Sequence, residues 1–444
     1  LPVQIVKKRL STLKGEFILK VKILVLSIAT AVQPALAAAG DSPKPMTWDE
    51  CVSVALKNNP DIAAALRARE SGEASYKGSF NGLLPQVSLT NGYSDSHASS
   101  PAFGRTSGAS WQAGASASMN VFDMSQVASI RSARAALDQA QAAEMQAAVD
   151  LRFNLRTAFA QLLFVRQDID VSQTILDMRN KSARLVALRY QSGMESKGNM
   201  LRSKAQALQA EAALSQALRD LKTSRIALDR WLGLDDLPAV DAVGNLDSGP
   251  SPDEPSDLKK LADLRPDVAA QEAAVQSARA SLARARSALW PALSVNYTRS
   301  VTDDKEFPSA QKGWSWSGLL SLPIFGGGPT AAYYSVSAAQ RDLLKARENL
   351  RVARDAALSD IQSSWDSFAG AVDQVKVTSA LVESARQRND EADISYNAGL
   401  LTYDNWEIIA TDRIAAERSA VQARLTAVSA EAAWNRAIAK PLGE

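Results

Sequence analysis

Two stretches of this sequence, Gln126 to Ser192 and Thr330 to Ala398, run 67 and 69 residues with no proline and, between them, one glycine, Gly370. Each reads as a single helix of roughly 100 Å at 1.5 Å per residue, against about 10 to 14 residues for an ordinary globular helix. That length exceeds any compact domain, so the chain is predicted to be elongated. After Gly193 and Gly399 it returns through Ser196 to Leu232 and Thr402 to Ala439, only 37 and 38 residues. Asp61 to Leu84 and Asp267 to Trp290 supply a further 24 each. Two short helices laid end to end therefore match one long one, and frequent alanine lets such neighbours approach closely around a narrow apolar stripe.

The same plan is written twice. Asn59-Pro60-Asp61-Ile62-Ala63-Ala64 returns as Arg265-Pro266-Asp267-Val268-Ala269-Ala270, and Leu84-Pro85-Gln86-Val87-Ser88-Leu89 returns as Trp290-Pro291-Ala292-Leu293-Ser294-Val295, both offset by 206. Tyr190-Gln191-Ser192-Gly193 and Tyr396-Asn397-Ala398-Gly399 keep that offset, while Trp111 and Phe122 return as Trp314 and Phe325 at 203. A period this long is a duplicated domain-sized unit rather than a solenoid repeat. The expected organisation is a first structural repeat over 38–247 (strands about 86–97 and 109–122, long helices about 126–192 and 196–232), a linker over 248–257 with Pro250, Pro252 and Pro255, and a second repeat over 258–444 (strands about 292–302 and 313–325, long helices about 330–398 and 402–439).

Between each opening helix and each long helix lie two segments of period two. Val87, Leu89 and Tyr93 alternate with Ser88, Thr90 and Ser94; Leu293, Val295 and Tyr297 alternate with Ser294, Asn296 and Thr298. Alternation ordinarily marks a half-buried soluble sheet. Here the strands have the length a tilted membrane strand needs, and their polar partners are small and uncharged. Tyr93, Trp111, Tyr297, Trp314 and Trp316 fall toward the loops Asp95 to Ser110 and Thr302 to Gly313, as membrane-interface aromatics do. Four strands cannot close a barrel, and an open edge in lipid leaves unpaired backbone groups, so chains must associate. Two would supply eight strands and three twelve.

Charge and composition exclude most other chemistry. Lys plus Arg is 50 and Asp plus Glu 48, which leaves no strong field for nucleic acid, and Cys51 and His97 are the sole cysteine and histidine. A disulfide, a Cys/His metal site and a Ser/His/Asp triad are thereby removed, and no cofactor is expected. Cys51 reads as a small core residue, His97 as a surface-loop imidazole, and Asp235 and Asp236 as carboxylates solvating a helix end. Residues 1–37 have the order of a secretory signal: Lys7, Lys8, Arg9, Lys14, Lys20 and Lys22, an apolar run from Ile23 to Val32, then Ala35-Leu36-Ala37.

With duplicated Pro-Asp helices, paired strands and Tyr-x-x-Gly turns, the sequence resembles the TolC family of outer membrane efflux proteins over about Met46 to Gly443; Trp48 and Leu56 beside Asn59-Pro60 look like the short helix opening each family copy. The resemblance implies a mainly α fold with a membrane β-barrel part, a homotrimer whose 12-stranded β-barrel in outer membrane lipid joins a long periplasmic α-helical barrel. It also implies a periplasmic adaptor (membrane fusion protein) and an inner membrane transporter as partners. Tyr190, Gly193, Tyr396 and Gly399 look like the adaptor-docking tips, with helix capping as the alternative reading. Trp406 is expected either to pack its hairpin or to touch the adaptor. Many relatives carry Asp six residues after each tip glycine, where this chain has Asn199 and Asn405; with Glu195, Asp404 and Glu407 nearby, these form the candidate periplasmic gate. The function so implied is a passive exit duct of a tripartite efflux or secretion system, located in the outer membrane. The competing reading is a structural periplasmic coiled-coil rod or adaptor, and an enzyme is a distant third. The absence of His-rich or Met-rich relay segments points away from copper or silver as cargo.

Overall fold

The computed structural model describes residues 44–100, 104–234, 240–251, 253–303, 311–324 and 327–442. The signal-like segment 1–37, Asp235, Asp236, Pro252 and Phe325 lie outside them.

In chain order the elements are β1 (Lys44–Met46), α1 (Trp48–Asn58), α2 (Pro60–Ser79), β2 (Gln86–Ser100), β3 (Gly104–Phe122), α3 (Met124–Gln191), α4 (Lys197–Leu232), β4 (Val240–Ala242), α5 (Leu258–Asp263), α6 (Pro266–Ser287), β5 (Ala292–Asp303), β6 (Gln311–Ser321), α7 (Ala331–Asn397) and α8 (Tyr403–Ala437). Local chemistry fixes most starts. Thr47 and Glu50 form a reciprocal capping box on α1, the Thr47 N–H donating to Glu50 Oε2 at 2.8 Å. Asp123, Ser196 and Thr402 cap α3, α4 and α8. No helix among the described residues is long and apolar enough to cross a membrane.

The long helices are built for close lateral contact. In α3, Ala128, Ala135, Ala142 and Val149 are buried at seven-residue intervals, the spacing of a helix seam against its neighbours. As far as Ser224 the buried face of α4 is also small: Ser203, Ala207, Ala210, Ala217 and Ser224. Helix α3 packs against α2 and α4 of its own repeat and against α6 and α8 of the other, while α7 packs against α6 and α8.

Each short pair is joined end to end by the same device. Asn59, just before Pro60, accepts the Asp61 and Ile62 N–H groups at 2.9 and 3.2 Å and donates Nδ2 to the Trp231 carbonyl at the end of α4, 2.9 Å away. In the second repeat, Arg265 before Pro266 donates Nη1 to the Ala437 carbonyl at 3.4 Å. Both donors satisfy a carbonyl that a helix C-terminus leaves without an intrahelical partner. The joint is tight: a Cβ on Gly233 would stand 2.3 Å from the Asn58 carbonyl oxygen. Around the first joint lies the largest core, where Phe159, Leu162 and Leu155 of α3 meet Cys51 and Ala55 of α1, Leu228 and Leu232 of α4, and Leu246. Burial, with Glu50 and Asp229 nearby, pushes the Cys51 thiol up to about 12.

Strands β2, β3, β5 and β6 form one antiparallel sheet in that order, which leaves β2 and β6 as its edges. Register sorts the side chains onto two faces. Val87, Leu89 and Tyr93 lie opposite Ala117, Ala115 and Trp111; Val295 and Tyr297 lie opposite Met119 and Ala117 on one side and Gly318 and Trp316 on the other. The second face carries mostly serine, threonine, asparagine, glutamine and glycine, with Leu319 opposite Ser294 and with Ser88 to Ser116 and Thr298 to Ser315 hydroxyl contacts of 2.7 Å; Asn91 and Arg299 interrupt the first. The apolar face is bare, with Leu89 83% and Trp314 70% exposed.

Several boundaries differ from the sequence expectation. The Asp95 to Ser110 loop is mostly ladder, since pairing continues to Ser100 opposite Gly104. Main-chain hydrogen bonds suffice there, and no hydrophobic alternation marks them. In the other direction β6 stops at Ser321, because Pro323 has no N–H to continue the ladder. At the end of the first repeat, before the 248–257 linker, a short strand went unread: β4 pairs with β1, and Val240, Ala242 and Leu246 are buried. Three-residue strands carry no readable period.

Candidate functional site

Two parts of the chain carry the candidate residues, the reversals between the long helices and the bare face of the sheet. At the reversals, Gly193 and Gly399 have φ of +73° and +78°. Gly193 N–H donates to the Tyr190 carbonyl and Met194 N–H to Arg189; Gly399 and Leu400 repeat the pair on Tyr396 and Ser395. These are matched Schellman closures, in which a left-handed residue lets two orphan carbonyls be satisfied. Nothing lies within 4 Å of a Cβ placed on either glycine, so it is the backbone alone that requires glycine.

Beneath the turns is a small aromatic core of Val186, Ala392, Tyr396, Tyr403 and Trp406. The rings of Tyr396 and Trp406 stack at 4.4 Å and 5°, and the Arg189 guanidinium lies 4.5 Å from the Tyr396 ring centre while donating to the Tyr396 carbonyl at 2.6 Å. Trp406 Nε1 donates to Asp393 at 2.6 Å. Tyr396 and Trp406 are 1% and 4% exposed, so they build the tip rather than its outer surface; Trp406 packs its hairpin. Tyr190, Gly193 and Gly399 remain exposed.

The five gate candidates divide among four separate contacts. Glu195 accepts the Tyr396 hydroxyl at 2.9 Å, Asn199 Nδ2 at 2.8 Å and the Ser196 N–H at 3.0 Å. Partial burial works against its charge, but these hydrogen bonds, with Arg189 nearby, hold its carboxyl below the ordinary range. The same contact, added to burial, raises the Tyr396 phenol. Asp404 is well exposed and meets Arg202 across the two hairpins at 3.3 Å. Asn405 is exposed, its N–H capped by Thr402.

Glu407 differs from the expectation of a carboxylate facing a passage. It is 4% exposed, and both its oxygens accept from Arg179 Nη1, at 2.9 and 2.8 Å. Gln206 and Thr411 complete its shell at 2.7 and 3.0 Å. The group ties α8 to α3 and α4. Sequence reading missed Arg179, Arg189, Gln206 and Asp393. Arg179 had a signal: Ser172, Ile175, Arg179, Ser182 and Val186 are buried at alternating steps of three and four, so a cation stands in a helix seam and needs a buried anion.

The depressed carboxyl of Glu195 gives a pH expectation. Its folded value lies below its unfolded one, so its stabilising contribution is present above the ordinary glutamate value of 4.5 and is lost as pH falls through the folded value. Hydrogen-exchange protection at the tip is expected to drop on acidification below that range, and the acid-labile component should shrink in Glu195→Gln. An identical acid profile in the variant would show that Glu195 is not the group responsible.

On the sheet, the five aromatics do not share one level. Tyr93 and Trp111 face each other at 5.0 Å, with Asp303 opposite Trp111. Tyr297 and Trp316 align with Ala117, six residues further along β3, which is about 20 Å at 3.3 Å per residue. A further aromatic group stands at the helix junction, where Phe122 and Trp290 are 6.5 Å apart and Tyr333 and Tyr334 5.3 Å. Sequence reading missed it because these residues lie outside the alternating runs. Among the described residues no cluster of three or more His, Cys, Asp or Glu could hold a metal ion.

With this geometry in place, comparison with known proteins is direct. The chain is 26% identical over 406 residues to the pyoverdine export outer membrane protein OpmQ of Pseudomonas aeruginosa, covering 88% of this chain and 84% of that one. It is 24% identical over 386 residues to the cobalt-zinc-cadmium resistance protein CzcC of Cupriavidus metallidurans, covering 86% and 85%. Its fold is similar to the CmeC outer membrane channel of Campylobacter jejuni, with a TM-score of 0.79, 17% identity and coverage of 89% and 86%. The sequence model of one family, Outer membrane efflux protein, matches residues 51–234 and again 258–440, both repeats and well over half of the chain. The chain belongs to the outer membrane efflux protein family, the TolC-like channels of the outer membrane.

Proposed function

We propose that three copies of this chain form a passive exit duct, β6 of each pairing with β2 of the next to close twelve strands. The observation that carries the reading is the four-stranded sheet with a bare apolar face and two unpaired edges, set on helices of 68 and 67 residues. In lipid the edges require partners and the apolar face does not. The competing rod reading accounts for the helices but leaves Val87, Leu89, Trp314, Trp316 and Leu320 facing water. Purified from outer membranes, the protein should run as an SDS-resistant trimer and conduct in planar bilayers. Recovery as a non-conducting species in the periplasmic fraction would overturn the reading.

The tips are assigned to an adaptor that belongs to an inner membrane pump, because they stand at the far end of helices about 100 Å long. Tyr190, Gly193 and Gly399 supply the outer surface; the Tyr396–Trp406 stack holds its shape. Asp404, with Arg202, is the exposed acidic position left for a gate. One named relative is a pyoverdine export protein and another a cobalt-zinc-cadmium resistance protein, which fits a conduit whose cargo is chosen by the pump. A β-branched residue in a left-handed conformation costs roughly 1 to 2 kcal/mol, too little to unfold these helices. Gly193→Val with Gly399→Val is therefore expected to keep the trimer and lose export, measured as adaptor pull-down beside SDS-resistant assembly. Normal adaptor binding would reduce the turns to caps.

A further inference from the structure

The two repeats differ at the junction between opening helix and sheet, and only the second is basic there. From Ala273 to Ala292 there is no Asp or Glu, while Arg279, Arg284 and Arg286 are all present. At the offset of 206, Arg279 and Arg286 replace Glu73 and Phe80 of the first repeat, where Glu73 is occupied by Lys77 at 2.7 Å. Arg279 and Arg286 line one cavity of 340 Å³ between α6 and the start of α3, with Leu282, Trp290 and Met124. Among the described residues no carboxylate lines it, and the one hydrogen bond made there by either guanidinium side chain is Arg279 Nη1 to Gln276 at 3.3 Å.

The cavity opens at the level where the lipid-facing surface begins. Phe122 is in register with Leu293, which puts it on the apolar face of the sheet, and its ring is 6.5 Å from Trp290. Trp290 is 52% exposed, and both arginines are exposed. Cations in the last turn of a helix are favoured by its dipole, which accounts for Arg284 and Arg286. Arg279 is two turns back, about 10 Å along the axis, beyond that effect. Two arginines on one wall, a tryptophan toward the membrane and an apolar floor match a lipid with a phosphate head: guanidinium groups on the phosphate, indole at the glycerol level, acyl chains running onto Phe122 and Leu293.

We propose that this junction is a binding site for an anionic phospholipid of the periplasmic leaflet, one per subunit, with Arg279 and Arg286 holding its phosphate. The site rests on the reading of the sheet as part of a membrane barrel. It gives the second repeat a lipid anchor that the first lacks.

The test uses the purified full-length trimer, with native mass spectrometry in detergent on addition of phosphatidylglycerol or phosphatidylcholine, and SDS-resistance and conductance measured on the same preparations. Wild type should retain up to three phosphatidylglycerol molecules per trimer in preference to phosphatidylcholine, and Arg279→Gln with Arg286→Gln should weaken retention roughly tenfold or more. Arg284→Gln, outside the cavity, should not. Arg286→Phe installs the residue of the first repeat and should weaken retention even if the double variant fails to assemble. Equal retention by wild type and both cavity variants, or displacement by millimolar inorganic phosphate alone, would overturn the proposal. Loss of SDS-resistance and conductance in wild type would instead defeat the barrel reading.

Discussion

Glu407→Ala is expected to open the tip of the helical hairpins while leaving the barrel assembled. The substitution strands Arg179, 8% exposed, without the carboxylate that both its hydrogen bonds to Glu407 require, and removes the acceptor of Gln206 and Thr411. Breaking a buried ion pair by deleting one partner costs about 3 to 5 kcal/mol, chiefly from the charge left behind. The loss should be local, because the aromatic core at the turns does not use this ion pair and the largest core lies elsewhere, around Leu155, Phe159 and Leu162. Hydrogen exchange should therefore rise around 175–190 and 396–411, with the heat stability of the oligomer nearly unchanged. The paired change Arg179→Met with Glu407→Leu removes both charges and should restore most of the protection. If the single and paired variants behave alike, the ion pair contributes nothing beyond packing. Any change in conductance on Glu407→Ala would then report a deformed tip, since the carboxylate itself does not reach solvent; Asp404→Ala is the variant that reads a facing charge.

The second large effect belongs to the sheet. Val295 projects from the apolar face between Met119 and Gly318, and Ser294 and Asn296 project from the other. Arginine at Val295 should cost about 2 to 4 kcal/mol near the bilayer midplane, whereas the lumen side tolerates charge. Val295→Arg is expected to lose the SDS-resistant oligomer. Ser294→Arg and Asn296→Arg should assemble and shift conductance or ion preference. Comparable assembly defects from both faces would mean that the alternation had been assigned to the wrong environment.

How far the chain could be read before its structure depended on the range of the forces involved. Helix length was legible from missing glycine and proline, because those residues act locally on backbone geometry; α3 ends at Gln191, two residues before Gly193. The sorting of Val87, Leu89 and Tyr93 from Ser88, Thr90 and Ser94 was legible because pleating is also local. Contacts between residues about 200 apart were not: nothing in the period of α8 announces that Glu407 meets Arg179, 228 positions away. Trp406 was left open between two roles for the same reason, and the structure shows its packing within the hairpin. The hairpin beyond Asp95 was hidden because its ladder runs through the main chain, which composition does not record. The shared use of Asn59 and Arg265 as hinge donors was visible as sequence position but not as chemistry, since two unlike side chains do one job.

The two open edges of the sheet set the arithmetic of assembly. A monomer has two; so does any open chain of monomers, and only the closed ring has none. Joining two chains therefore hides one pair of edges, whereas the third, closing step hides two pairs at once, so the gain is concentrated in ring closure. Partial rings should be scarce at equilibrium, and a subunit whose β2 or β6 edge cannot pair should poison the rings it enters. Co-expressed in equal amounts with intact chains and mixing at random, such a subunit would leave only about one ring in eight wholly intact.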